Sequence, residues 1–280
     1  MIALHNKDIA LHIDPDRGGG ILRFDWRGNA IFHPVREGDS GPLGLANFIL
    51  VPFSNRIANG RFLFDDIAVT IPPNYPSASS HHAIHGHGWI APWDVIAQSE
   101  DQLHLRYIHA ADSWPWDYIC DQEINLTADG YIHELSITNT SATNMPAGLG
   151  LHPYFPRADA TLHTIFDGFW EGTADGLPTH WIERAGPYDL TIDDPVDTVF
   201  TGRKNALEFE WPSHRLTMTP DADLPETHIF APDGEDYFCV EPVSHMTDAV
   251  NRDGLKTLAP GERWSTQVSF AVTPKVNSPE

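Results

Sequence analysis

The stretch LAPGERWSTQVSFAV (residues 258–272) indicates most clearly which fold the chain adopts. Behind the Pro260-Gly261 pair, residues 264, 266, 268 and 270 fall on one face and residues 265, 267 and 269 on the other. Successive side chains of a β-strand point to opposite faces, so this alternation predicts a strand with one buried and one solvated face. The Pro-Gly pair predicts a turn that starts the strand.

The same kind of run recurs along the whole chain. It is found in KDIALHID (7–14), GILRFDWRG (20–28), QLHLRYIHA (102–110), YIHELSITN (131–139) and YFCVEP (237–242). No window has a sustained helical pattern, and 23 prolines with 21 glycines favour turns over long helices. We find no repeat and no linker-like break. The sequence therefore predicts one all-β domain over residues 1–280, with two packed sheets and a long surface loop over residues 70–82.

Composition and charge narrow the possible partners. Seventeen Lys plus Arg against 39 Asp plus Glu give a formal net charge of −22, which repels nucleic acid and anionic membrane surfaces. No apolar run approaches the roughly 20 residues that span a bilayer, and the first residues do not resemble a signal peptide. We expect a cytoplasmic protein with neutral small-molecule partners, in which Cys120 and Cys239 are reduced, buried thiols.

Three polar residues stand where a strand-rich core does not require them. His152 lies in the apolar run GLGLHPYFPR (148–157), and by itself it is explained equally well as a core histidine or as a functional one. Glu241 ends an apolar strand, where burial is costly unless the carboxylate has a partner. Asn59-Gly60 is a hairpin signal, which places Arg56 near a strand end.

A cluster of histidines leaves two interpretations open. His82, His85 and His87 have a spacing that suits zinc, which commonly takes three histidines. No H-E-x-x-H helix accompanies them, and Gly86 and Gly88 indicate a turn. Because histidine is frequent in this chain, with 16 residues, we favour a site for a sugar or another polar ligand over a metal site.

Five motifs in order resemble the aldose 1-epimerase (galactose mutarotase-like) family. They are NRIANGRF (55–62), AIHGHGW (83–89), LHPYF (151–155), CVEPVSHMTDA (239–249) and LAPGE (258–262). The resemblance implies a β-supersandwich and an isomerase that interconverts the α and β anomers of a free sugar. It implies no metal and no organic cofactor, and we expect a monomer or homodimer.

The resemblance also implies a role in proton transfer for each of two residues. The glutamate of the family's E-P motif, here Glu241, is its general base, and the histidine of its H-x-Y-F motif, here His152, is its general acid. Mutarotation needs one group to take the proton of the C1 hydroxyl and another to protonate the ring oxygen, with the roles reversed on reclosure. A carboxylate and an imidazole suit that exchange near neutral pH.

The other matched residues are implied to bind the sugar. They are Arg56, His85 and an aspartate in IDDPVDTVF (192–200), for which Asp197 is the best match, with Asp193 and Asp194 close by. The larger members of the family carry a glutamine or similar polar residue upstream of the glutamate motif. Residues 227–238 show no evident equivalent.

Three alternatives to a mutarotase for a neutral aldose remain. A carbohydrate-binding protein with the same fold would not need a matched acid and base. A metal-dependent enzyme would use the cluster at residues 82–87. An epimerase for a hexose 6-phosphate would need cationic groups, and the net charge and scattered arginines argue against it, whereas a mutarotase for an anionic sugar such as a sulfosugar stays open.

Overall fold

The computed structural model describes residues 1–35, 41–74, 81–188 and 196–275. Within these ranges the chain forms strands and four short 3-10 turns, and no α-helix. The turns are Pro42–Gly44, Ala58–Gly60, Gly88–Ile90 and Ala249–Asn251. In this part of the chain, no helix has the length and apolar character that crossing a membrane requires.

The strands fall into three stretches of the chain. The first contains β1 (Ile2–His5), β2 (Ile9–Asp14), β3 (Gly20–Trp26), β4 (Asn29–Ala30), β5 (Ile49–Leu50), β6 (Arg56–Ile57), β7 (Arg61–Phe64), β8 (Ile67–Thr70) and β9 (Ala83–Ile84). The second contains β10 (Asp94–Gln98), β11 (Gln102–His109), β12 (Tyr118–Leu126), β13 (Gly130–Asn139), β14 (Met145–Ala147), β15 (Gly150–Leu151) and β16 (Tyr154–Pro156). The third contains β17 (Thr161–Gly172), β18 (Pro178–Tyr188), β19 (Val196–Thr201), β20 (Leu207–Glu210), β21 (His214–Pro220), β22 (Glu226–Ala231), β23 (Tyr237–Val243), β24 (Lys256–Leu258) and β25 (Arg263–Pro274).

One long antiparallel sheet dominates the fold. Its strand order is β10-β11-β12-β13-β25-β21-β20-β17-β19-β22-β23-β15-β5, with β16 added on β23 and β18 on β17. Residues 161–163 of β17 pair with β20, whereas residues 168–169 pair with β19, so this strand links the two halves of the sheet. The halves face each other, because Phe209 of β20 stacks on Phe155 of β16 with ring centroids 4.3 Å apart. The predicted all-β, two-layered architecture is confirmed.

Strand β25 has the alternation that its sequence predicts. Trp264, Thr266, Val268 and Phe270 are buried, and the residues between them are exposed or half-buried. Phe270 stacks on Tyr131 of the neighbouring strand β13 with ring centroids 4.6 Å apart. The apolar face of β25 therefore forms part of the main core. Both cysteines are free and buried, as predicted.

The turn at Asn59-Gly60 differs from the prediction made from the sequence. Asn59-Gly60 does not form a hairpin, because β6 pairs with β9 and β7 pairs with β8. Both residues have positive φ and lie in the 3-10 turn through which the chain passes from one small ribbon to the next. Arg56 does lie in a short strand, as predicted.

Of the predicted surface loop at residues 70–82, residues 75–80 lie outside the described residues, and so do Asp193 and Asp194.

Candidate active site

A buried imidazole and a buried carboxyl group lie in contact at the centre of the candidate site. His152 follows β15, and Glu241 lies in β23, the strand that pairs with β15. Nε2 of His152 is 3.2 Å from Oε1 of Glu241, and their side chains are only 7% and 2% exposed. An ionisable pair removed from water in this way can exchange a proton internally.

Aromatic neighbours fix the orientation of the His152 ring. The ring stacks on Phe48, with centroids 4.4 Å apart, and on Tyr154, with centroids 4.9 Å apart, and the rings of Phe48 and Tyr154 are 6.2 Å from each other. The backbone N–H of His152 donates to the carbonyl of Phe48 and to Oδ1 of Asn47. The imidazole is therefore held by two neighbouring aromatic rings and at its backbone, and its Nε2 faces Glu241.

Burial shifts both members of the pair toward their neutral forms. Loss of solvation raises the pKa of Glu241 to about 7, an effect that the charge of His228 opposes. Loss of solvation lowers the pKa of His152 to about 3. Nδ1 of His152 and Oε2 of Glu241 are also buried and have no hydrogen-bond partner among the described residues. Burying a polar atom without a hydrogen-bond partner costs free energy. Such atoms are typical of a site that a ligand completes.

A second histidine, His228, faces the same carboxyl group from β22. In the register of β22 and β23 it lies directly opposite Glu241, and its Nε2 is 2.8 Å from Oδ1 of Asp197. Burial opposes the charged ring, but the carboxyl groups of Glu241 and Asp197 outweigh it, so the pKa of His228 is raised. The hydrogen bond from His228 helps to lower the pKa of Asp197 against the effect of its own burial. His228 and Asp197 therefore form a hydrogen-bonded pair, which becomes an ion pair when the ring of His228 is protonated.

Asn55 connects this pair to the other predicted site residues. Its backbone N–H donates to Nδ1 of His85, and its Nδ2 lies 3.2 Å from Nδ1 of His228. Its Oδ1 accepts from Nη1 of Arg56, and Nη2 of Arg56 is 3.9 Å from Oδ2 of Asp197. The ring of His85 lies 5.3 Å from that of His152, nearly perpendicular to it. The structure thus brings Arg56, His85 and Asp197 together with the His152–Glu241 pair.

The loop that follows Glu241 positions the segment that carries Arg56. Nε2 of His245 accepts from the backbone N–H of Ser54, and the N–H of Asp248 donates to the carbonyl of Arg56. Oδ1 of Asp248 accepts from the N–H of Ala58. The motifs at residues 55–62 and 239–249 are therefore in direct contact through this loop.

The three histidines of the cluster at residues 82–87 point to different partners. Nδ1 of His82 accepts from the N–H of Asn59, Nδ1 of His85 from that of Asn55, and Nδ1 of His87 lies 3.4 Å from the hydroxyl of Tyr118. Positive φ at His85 and Gly86 forms the turn that separates their rings, and a Cβ at Gly86 would lie 2.1 Å from the carbonyl oxygen of Val51.

A different group in this region, His81, His82 and Asp175, has ligand atoms within 4.8 Å of one another. Nδ1 of His82 accepts from an N–H, so the proton of a neutral ring is on Nε2, which faces Asp175. A metal at Nε2 would require the opposite tautomer. This bonding pattern disfavours a metal at His82.

The turn between β17 and β18 lies against Arg56 and His82. Gly176 packs on the guanidinium of Arg56, and Asp175 pairs with His82 at 3.1 Å. Arg252 donates to the carbonyl of Pro178. The space left above Asp197 and His228 is about 10 Å³, room for about one water molecule. The side chain of Asp197 is still 40% exposed, whereas that of His228 is 6% exposed, so the turn restricts access chiefly to His228.

Sequence reasoning missed two residues of this site. His228 lies in the stretch 227–238, where the sequence shows no evident equivalent of the family's upstream polar residue. Only the pairing register of β22 with β23 reveals that it faces Glu241. Asn55 is part of the motif at residues 55–62, but its bridging role depends on three side chains that are distant in sequence.

An all-β sandwich with a buried histidine–glutamate pair defines a class of sugar-modifying proteins, and comparisons with known proteins agree with this class. The aldose 1-epimerase family model matches residues 2–271, so the chain belongs to that family. The chain is 31% identical to YphB of Escherichia coli K12 over 285 residues, which is 94% of this chain and 96% of YphB. The name of YphB assigns it no function.

Solved structures show the same fold. A candidate aldose 1-epimerase from Escherichia coli K12 superposes with a TM-score of 0.88 at 28% identity, over 98% of both chains. A galactose mutarotase-like protein from Clostridium acetobutylicum gives a TM-score of 0.84 at 18% identity, over 98% of this chain and 95% of the other. The predicted galactose mutarotase-like sandwich is therefore confirmed.

Proposed function

We propose that this protein is a mutarotase that interconverts the α and β anomers of a free, neutral aldose. The observation that carries the proposal is the buried contact of 3.2 Å between His152 and Glu241. Membership of the aldose 1-epimerase family supports the class of reaction. A protein that only binds sugar needs polar and aromatic contacts, and it does not need two buried proton-transfer groups in contact.

The reaction proceeds through one proton held by the pair. Glu241, as carboxylate, takes the proton of the C1 hydroxyl while the bond between C1 and the ring oxygen breaks. The ring oxygen takes the proton of the His152 imidazolium, which leaves an open-chain aldehyde. After rotation about C1–C2, His152 removes the proton from the hydroxyl, its oxygen attacks the other face of C1, and Glu241 returns its proton to O1. Both groups end as they began.

The remaining residues bind and orient the sugar. Arg56, His85 and Asp197 supply hydrogen bonds to hydroxyl groups, and His85 does so as a neutral ring, because burial holds its pKa well below the usual range. Each of the two cations, Arg56 and His228, already faces an oxygen of Asp197. The single carboxylate of Asp197 offsets one of these charges, and the net charge of −22 over the whole chain disfavours a phosphorylated substrate.

Polarimetry of freshly dissolved α-anomers tests this function. Neutral aldoses, their 6-phosphates and a sulfosugar are compared, before and after exhaustive chelation. We expect catalysed mutarotation of a neutral aldose, with no loss after chelation. A strong preference for a phosphorylated sugar would overturn the neutral-substrate assignment, and a loss restored by zinc would support the metal-dependent alternative. If no sugar anomerises faster than its spontaneous rate, the proposed function is wrong.

A further inference from the structure

A second cavity lies next to the candidate active site. It has a volume of about 310 Å³, and it is lined by Trp170, Trp181, Thr201, Glu226 and Met246 together with the loop at residues 249–254. Trp170 and Met246 also border the small space above Asp197 and His228. The two spaces are therefore neighbours that share a wall.

Strand geometry places this cavity close to the acid–base pair. Glu226 and His228 are two residues apart in β22 and so point to the same face of the sheet, with Thr201 opposite Glu226 at the end of β19. Two residues of a strand span about 7 Å. The cavity thus lies along the sheet from the site, at a spacing comparable to the next unit of a sugar chain.

The indole of Trp181 is fixed at the cavity although it is exposed. It is 42% exposed, and its Nε1 donates to Oγ1 of Thr201 at 2.9 Å. Its ring lies over Gly168, where a Cβ would approach within 2.4 Å. Trp170 is its direct partner across β17 and β18. An ordered, exposed tryptophan beside a second one is typical of a surface that binds the flat face of an amphipathic ring.

The polar groups of the cavity suit hydroxyl groups and disfavour anions. Burial raises the pKa of Glu226 to about 7; the charge of Arg203 opposes this effect, and the smaller influence of Asp253 adds to it. Oε2 of Glu226 is buried without a hydrogen-bond partner among the described residues. A carboxyl group in this state both donates and accepts, as a sugar hydroxyl requires. The acidic lining would repel a phosphate or sulfonate.

From this geometry we propose that the cavity binds a second sugar unit, so that the substrate is a reducing disaccharide or a longer reducing oligosaccharide. The reducing unit occupies the acid–base site, and the next unit stacks on Trp181 and hydrogen-bonds to Glu226. This inference rests on the proposed mutarotase function, because it names the substrate class of the same site.

Kinetics with matched sugars provide the first test. Mutarotation of lactose, maltose and cellobiose is compared with that of glucose, and mutarotation of melibiose is included for a different linkage. We expect at least one disaccharide to exceed glucose in kcat/KM by about tenfold. Trp181→Ala and Glu226→Gln should remove most of this advantage and leave glucose unchanged. Ile165→Ala, an exposed position on the same hairpin, serves as the control.

Binding provides a second test that does not depend on turnover. Methyl glycosides of the same disaccharides cannot open their rings, and calorimetry should show that Trp181→Ala weakens their binding about tenfold. The inference is overturned if every disaccharide is slower than glucose, or if Trp181→Ala affects glucose and disaccharides alike. If no sugar is anomerised but the methyl glycosides still bind through Trp181, the mutarotase function fails and the sugar-binding cavity stands.

Discussion

Nε2 of His152 and Oε1 of Glu241 are 3.2 Å apart, and burial shifts both groups away from their usual charges. The pKa of Glu241 is raised to about 7 and that of His152 lowered to about 3. Between these values the pair holds one proton, which can reside on either group. This differs from an ordinary surface ion pair, which is charged on both sides and contributes little. A one-proton pair is what reversible ring opening requires.

Removing either proton carrier should abolish most of the activity. Glu241→Gln keeps the size of the side chain but accepts no proton, and His152→Asn keeps a polar amide but delivers none. We expect kcat to fall by about 10²–10⁴-fold in each variant, measured by polarimetry. The losses in the double variant should not add, because both groups act in one step. Glu134→Gln, on β13, is the control, and wild-type kcat in Glu241→Gln would contradict the mechanism.

The pH dependence of kcat/KM should report the loss of this proton. As the pH rises through about 7, the buried carboxyl group ionises, the pair loses its only proton and nothing is left to protonate the ring oxygen. We therefore expect kcat/KM to fall above about pH 7, along one limb that belongs to the coupled pair. A rate that stays level up to pH 9 would argue against a shared proton.

The sequence predicts well whatever depends on local pattern. The alternation in β25 follows directly from residues 264–270, and Glu241 stands out as a carboxyl group in an apolar strand. Pairing register is different, because it depends on many weak contacts between distant segments. His228 faces Glu241 only through this register, and local sequence carries no sign of it.

The turn at Asn59-Gly60 also shows that local sequence does not determine which strands pair. Asn59-Gly60 has the backbone conformation of a tight turn, yet tertiary pairing assigns β6 and β7 to different partners, so no hairpin forms. Of the three candidate aspartates, Asp197 lies among the described residues, and its contact with His228 depends on the fold. Its role in sugar binding stays a prediction.

His228 should act on the site through its charge. Its positive charge lowers the pKa of Glu241, so His228→Gln should raise that pKa and move the basic limb of kcat/KM to higher pH. Asp197 also loses its hydrogen-bond donor, so we expect KM to rise more than kcat falls. His163→Gln, the same change at an exposed position of β17, is the control. A limb that stays fixed or moves to lower pH would show that His228 is only structural.

Buried neutral histidines should make the fold sensitive to acid. Burial lowers the pKa of His87 and His245 to about 4 and that of His133 and His152 to about 3. Below pH 6.5 the unfolded chain binds more protons than the folded one, so the free energy of unfolding should fall as the pH falls. Each such histidine contributes up to about 1.4 kcal/mol per pH unit above its folded pKa.

The buried carboxyl groups oppose this trend in part. The pKa values of Glu226 and Glu241 are raised to about 7, so in the folded state these groups keep protons that the unfolded chain loses above about pH 4.5. With His85, whose pKa is also lowered, these histidines outnumber the two carboxyl groups and His228, whose pKa is raised. Urea unfolding between pH 8 and pH 5.5 measures how the free energy of unfolding changes with pH. In His133→Gln the slope of this dependence should be shallower by about one proton. An equal slope in both proteins would contradict this account.

Contacts at the turn between β17 and β18 should control access to Asp197 and His228. The turn is held by the hydrogen bonds that Thr173 and His82 donate to Asp175, which together lower the pKa of Asp175. Asp175→Asn weakens both contacts without changing the residues that face the sugar. Because the closed turn leaves room for about one water molecule, a looser turn should let the sugar enter more readily. We expect faster amide hydrogen exchange at residues 173–178 and a kcat/KM that rises at most severalfold.

Asp129→Asn, in the turn between β12 and β13, is the matched control, because its side chain also accepts from a threonine two residues earlier. Faster exchange with a lower kcat/KM would show instead that the closed turn is the form in which the reaction occurs.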